Sequence, residues 1–126
     1  NLFMAKQMPL KKLTYDMTSI DGYYKKLSEQ WGEQITPPEN AIRQLGYQLI
    51  GMRNHDKAIQ VFAHNTKLHP DSVNAWWGLS YAYEQKEDNK KALEFLEKAV
   101  KLADKSYPYY DMLMDAEARL KAAVSL

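Results

Sequence analysis

Few residues of this sequence have the type and spacing to do chemistry. Gly78-Leu79-Ser80-Tyr81-Ala82 comes within one residue of G-x-S-x-G, the pattern in which a sharp strand-to-helix turn exposes a nucleophilic serine beside an oxyanion hole. No strand pattern precedes Ser80, and Trp76, Leu79 and Tyr83 recur around it at helical spacing. The serine therefore reads as a packing residue inside a helix. His55, His64 and His69 are too irregularly spaced for a metal set of the H-x3-H kind on one helix face. His55 falls in a turn and His69 near a helix end, where solvated histidines are ordinary. Glu84, Glu87 and Asp88 cluster around a second turn, and exposed turn charges explain them without a paired general acid and base. The residues imply no catalytic constellation, no metal and no cofactor, so this chain is expected not to be an enzyme.

The totals set the class. At 126 residues the chain has the length of one domain, and 45% hydrophobic with 26% charged residues is a globular rather than a disordered composition. A formal charge of +1, with Lys11-Lys12, Lys25-Lys26 and Lys90-Lys91 as isolated pairs, argues against nucleic acid or an anionic membrane as partner. No apolar run nears the roughly 20 residues that span a bilayer, and no signal peptide is visible. The absence of cysteine removes disulfides and thiolate chemistry and suits a cytoplasmic or a periplasmic protein equally. The first residue is Asn1, which is expected of a processed piece or part of a longer chain.

What could position a functional surface is a repeat. A shift of 34 residues aligns 39–72 with 73–106 without a gap, with identities that include Asn40/Asn74, Ala41/Ala75, Leu45/Leu79, Tyr47/Tyr81, Ala58/Ala92 and Leu68/Leu102. Each copy reads as two helices. Ile42, Leu45, Leu49 and Trp76, Leu79, Tyr83 form the apolar stripes of the first helices. Ala58, Ile59, Phe62 and Ala92, Leu93, Leu96, Ala99, Val100 form those of the second. Small residues at Gly46 or Ser80, and at Ala58 or Ala92, stand where paired helices approach closely. Pro70 stops the first copy.

The pattern Trp76-x2-Leu79-Ser80-x2-Tyr83, then Ala92-x3-Leu96-x2-Ala99, resembles the tetratricopeptide repeat. The first copy matches through Leu45-Gly46, Ala58, Phe62 and Pro70, with Ile42 in the tryptophan position. It departs at Leu49 and Asn65, and the second copy has Asp104 where proline is usual. The resemblance implies an all-α, α-α superhelical fold of two hairpins with flanking capping helices, about six helices in all. It also implies a module that binds a protein or peptide.

The flanks complete the plan. Upstream, Ser19 is expected to cap a helix to Trp31 with Ile20, Tyr23, Tyr24, Leu27 and Trp31 as its apolar side and Gly32 as its stop. Thr36-Pro37-Pro38-Glu39 then reads as a capping box opening the first repeat. Downstream, Pro108 opens a closing helix over 107–124, with Tyr110, Leu113, Met114 and Leu120 apolar, which begins a third repeat and ends as a cap. Residues 1–17 are expected to be an arm or linker, and 18–126 the repeat domain. Tyr24-Lys25-Lys26-Leu27-Ser28, Trp31-Gly32, Ile35-Thr36-Pro37-Pro38-Glu39 and Gln44-Leu45-Gly46-Tyr47 together also resemble the tail of bacterial esterases. In those proteins an α/β-hydrolase domain related to siderophore esterases precedes a short repeat region. That resemblance implies an appendage to a hydrolase whose catalytic domain lies outside these residues.

In such a superhelix the first helices line a concave groove. The family's groove positions fall on Asn40, Arg43 and Tyr47, then Asn74, Trp77, Tyr81 and Glu84, then Asp111 and Asp115. With Trp76 in the core, Trp77 must point about 100° away. It is either a binding anchor or covered by another part of the protein. The clamp that grips C-terminal carboxylates in chaperone-binding repeats is not reproduced. Tyr47 and Gly78 replace its asparagine positions, and Asp111 and Asp115 would repel a carboxylate. A peptide carrying a basic and an apolar group suits Arg43, Trp77, Asp111 and Asp115 better. The expected partners are a protein or peptide, including the chain's own upstream domain, or a second copy pairing through Met112, Met114, Leu120, Val124 and Leu126.

Overall fold

A computed structural model describes residues 17–126, with side chains from Ile20 onward. The arm expected over 1–17 thus lies outside the described residues except for Met17, which is already helical. Among the described residues there are six helices: α1 (Met17–Trp31), α2 (Glu39–Gly51), α3 (His55–Leu68), α4 (Val73–Gln85), α5 (Asn89–Leu102) and α6 (Tyr110–Ser125). None is long and apolar enough to cross a membrane. Each helix packs on its neighbour from α2 to α6, α2 also touches α4, and α1 lies against α3.

The repeat is faithful down to its turns. Arg53 and Glu87 occupy the same place in their copies and both take left-handed backbone, at φ 62° and 64°. Each ends a helix in a double-bonded turn. Asn54 N–H donates to the Leu49 carbonyl at 2.9 Å and Asp88 N–H to that of Tyr83 at 3.0 Å, so the last carbonyls of α2 and α4 are satisfied. The next residue starts the following helix: Asn54 accepts from the Lys57 N–H and Asp88 from the Lys91 N–H. Gly32 does for α1 what Arg53 and Glu87 do here, at φ 69° with Glu33 N–H on the Ser28 carbonyl at 3.2 Å.

Four local expectations are corrected. α1 begins by Met17, so Ser19 sits inside the helix and not at its cap. The capping box at Thr36 does not form: the helix starts one proline later, with Pro38 as N-cap and no side-chain cap bond. The Glu39 carboxylate instead takes the Arg43 Nε–H at 2.9 Å and the Asn65 side-chain N–H at 3.1 Å. A residue on α3 has therefore captured the group that should have turned back on its own backbone. Trp31 is 48% exposed and leaves Ile20, Tyr24 and Leu27 to bury α1. The closing helix starts at Tyr110, three residues later than its repeat register, because Tyr107 and Tyr110 first make a turn (Tyr110 N–H to the Tyr107 carbonyl, 3.0 Å).

The interior is two clusters rather than one continuous core. Ile42, Leu45, Leu49, Val61, Phe62 and Leu79 belong to the first, and Leu96, Ala99, Leu113 and Leu120 to the second. Half-buried Trp76 and Tyr83 touch both and join them. Phe62 is the keystone of the first cluster. A Cβ on Gly46 would stand 2.4 Å from its ring, and one on Gly78 2.6 Å from the same ring. Two glycines, one from each flanking first helix, make the slot that admits the ring.

Candidate interaction surface

Ser80 needs no chemistry to explain it. It is 1% exposed, and its hydroxyl donates to the Ala92 carbonyl of α5 at 2.6 Å. With Gly78 opposite Phe62 and Leu79 in the core, packing accounts for every small or apolar residue of the elbow-like motif. The histidines are dispersed. His64 faces Asp21 of α1 at 3.5 Å, and the His69 ring meets the Pro37 carbonyl at 2.8 Å. His55 opens α3. Among the described residues no group of three or more potential ligands is placed to hold a metal. The acidic patch is divided as well: Glu84 is paired with Arg119, Glu87 is in the left-handed turn, and Asp88 is the N-cap of α5.

The groove positions do converge on one face. Heptad-like spacing puts Arg43 and Tyr47 on one side of α2, and Asn74, Trp77, Tyr81 and Glu84 on one side of α4. The Tyr47 and Tyr81 rings lie 5.7 Å apart at 60°, and Tyr47 rests edge-on against Phe62 at 5.2 Å. Burial raises the Tyr47 hydroxyl above its usual pKa; Arg43 opposes the shift, and Tyr81 and Glu39 add to it. Arg43 is held by Glu39. Asn74 accepts a hydrogen bond from the Tyr107 hydroxyl.

Trp77, Tyr81 and Glu84 form one wall of an open groove of about 440 Å³, with Met112, Asp115 and Arg119 of α6 as the other. Arg119 grips Glu84 through both nitrogens, the Nη2 contact being 3.2 Å. Two candidates stand apart. Asn40 and Asp111 are exposed and make no side-chain hydrogen bond or ion pair among the described residues. The Glu39–Arg43 and Glu84–Arg119 pairs neutralise themselves, which leaves Asp111 and Asp115 as the unpaired charges of this face.

Sequence reasoning missed three members. Tyr107 reaches over from the turn before α6, bonded to Asn74, with its ring 6.4 Å from Trp77 and 6.0 Å from Tyr109. Burial raises its pKa. Arg43 opposes that shift, and Tyr109, Tyr47 and Glu39 add to it. Met112, 60% exposed, and Arg119 complete the groove. Tyr107 was expected inside the closing helix but sits in the turn before α6, and that displacement is what lets it reach Asn74 and Trp77.

The self-pairing surface drawn through α6 is corrected. Leu120 is 1% exposed, packed on the α5 side with Leu96 and Leu113, and Met112 turns into the groove. The five apolar residues do not share one open face.

A sequence model of the tetratricopeptide repeat matches residues 49–117, from the last turn of α2 into α6. A search of curated proteins finds no match. With more than half of the 126 residues matched, and a 34-residue unit repeated in side chains, turns and caps, this chain belongs to the tetratricopeptide repeat family.

Proposed function

We propose that this chain is a non-catalytic binding module whose concave face, formed by α2, α4 and α6, holds a segment of another protein that carries both a basic and an apolar group. Tetratricopeptide repeats generally bind proteins or peptides, and the family is typically non-catalytic. The carrying observation is the state of the groove aromatics. Tyr47 and Tyr81 are 41% and 37% exposed, and Met112 is 60% exposed beside them. Exposed aromatics beside an open groove are the anchors that interfaces favour. The unpaired Asp111 and Asp115 select a cation over an acidic tail. Selection from a random peptide library tests the reading. The binders should be enriched in Lys or Arg with an apolar residue, and Tyr81→Ala should weaken them about tenfold or more. Binders rich in Asp and Glu, or binders indifferent to Tyr81 and Trp77, would contradict it.

The attachment to a hydrolase rests on the resemblance of residues 20–47 alone. Its test is whether the open reading frame that encodes this chain also encodes an α/β-hydrolase domain ahead of it. Self-association through α6 has lost Leu120 as a contact, and light scattering at increasing concentration decides whether any dimer forms.

A further inference from the structure

We infer that residues 1–16 of this same chain occupy the groove intramolecularly, so that a partner binds by displacing them; this rests on the binding role proposed above and adds its regulation. Charge, composition and reach carry it.

The segment and the groove are opposite in charge. Residues 1–16 hold Lys6, Lys11 and Lys12 against a single acid, Asp16. The whole chain has 17 basic and 16 acidic residues, so residues 17–126 keep 14 and 15 of them and are net negative where the segment is net positive. On the groove side the free carboxylates are Asp111 and Asp115, because Glu39 and Glu84 are held by Arg43 and Arg119. Exposed ion pairs contribute little by themselves. Their part is to orient the segment.

Apolar contact does the holding. Phe3, Met4, Met8, Leu10 and Leu13 lie between and beside the lysines, and the face offers Tyr47, Tyr81 and Met112, all exposed. The segment thus combines the basic and apolar groups asked of the ligand, and it is already joined to the domain. Tethering supplies an effective concentration of about millimolar, at which even a weak contact fills the groove. An outside peptide then sees its apparent affinity reduced by the fraction of chains left open.

Reach selects the lysine. Met17 starts α1, which lies against α3. The path from α1 past α2 and α4 to α6 is three helix spacings of about 8–10 Å each. Lys11 and Lys12 are six and five residues from Met17, roughly 20 Å when extended, and fall short of α6. Lys6 is eleven residues away, roughly 36–40 Å, and reaches it. Lys6 therefore meets Asp111 and Asp115, with Leu10 and Leu13 crossing the tyrosines behind it.

The test uses the whole chain. Carbodiimide, which joins an amine directly to a carboxylate, should link Lys6 to Asp111 or Asp115 within one monomer at dilute protein, read by mass spectrometry. Asp111→Asn with Asp115→Asn should remove the link while circular dichroism stays unchanged. A synthetic peptide of residues 1–16, followed by calorimetry, then separates a filled groove from an open one. It should bind a full chain carrying Phe3→Ala, Lys6→Glu, Leu10→Ala and Leu13→Ala about tenfold or more tightly than the unaltered chain. Adding Tyr81→Ala to that variant should weaken the peptide several-fold. Equal binding to both chains or to neither, links scattered over other carboxylates, or links formed only between two chains would overturn the inference. None of these outcomes touches the binding role, which falls only with the library selection above.

Discussion

Trp76 and Trp77 are neighbours in the chain, and the protein treats them in opposite ways. Trp76 turns to the back of the second hairpin. There it stacks on Phe95 at 6.1 Å and 19°, and Tyr83 stacks on the same ring at 5.4 Å and 21°. Lys98 and Lys91 lie over the two outer rings at 4.9 and 5.5 Å, and the Trp76 N–H is bonded. Trp77 turns to the groove, where its ring is tilted against Tyr107 and its N–H has no partner among the described residues. Both regions are half-buried aromatic surface. What separates them is satisfaction: a stack with near-parallel rings, capped by cations and hydrogen-bonded, is finished structure. A tilted band with idle donors is the surface proposed above for binding. Exposure alone would not have told them apart.

The contrast can be broken or sharpened by substitution. The largest effect should come from beneath both regions. Gly46→Leu drives a side chain into Phe62, which Gly78 confines on its far side, and should cost about 3 kcal/mol or more in urea unfolding; a smaller loss would mean the slot is not rigid. Trp76→Ala should follow, at about 3 kcal/mol, because it opens the joint between the two clusters. Trp77→Ala should cost under about 1 kcal/mol yet abolish groove binding. Equal destabilisation by the two tryptophan variants would erase the distinction. Ser80→Ala removes one buried hydroxyl bond and should cost about 1 kcal/mol without changing any hydrolytic background.

The smallest effect is electrostatic. Lys86, in the α4–α5 turn, holds the exposed Asp56 of α3 below the usual carboxylate range, and Asp56 holds Lys86 above the usual amine range. The link therefore contributes above the ordinary aspartate pKa, and that contribution is lost as pH falls through the lowered folded-state value. At the alkaline end it is present below the ordinary lysine pKa and lost as pH rises through the raised value. Asp56→Asn should flatten both slopes slightly, and added salt should do the same.

Much of the fold was legible because repetition makes each inference twice. Ile42, Leu45 and Leu49 echo Trp76, Leu79 and Tyr83, and the turns at Arg53 and Glu87 coincide although neither residue favours a left-handed backbone. The helix starts were less legible where a distant side chain intervened. Asn65, buried in α3, draws Glu39 away from the backbone it was expected to cap. The elbow-like motif was read as packing from its helical context, but that Gly78 makes room for Phe62, sixteen residues earlier, only the tertiary structure shows. The groove was half visible: Tyr47, Trp77, Tyr81, Glu84 and Asp115 were marked by their register. Tyr107, Met112 and Arg119 were not, since Tyr107 was expected inside the closing helix rather than in the turn before it, and the pairing of Arg119 with Glu84 joins residues 35 positions apart.

The sequence by itself determined the helices, their pairing and the side of each first helix that faces the groove, because these follow from local periodicity and from repetition at a fixed interval. Tertiary structure alone decided which charges of that face are spent and which aromatic donors stay idle. Those outcomes depend on side chains brought together from separate helices, and no local pattern encodes that meeting.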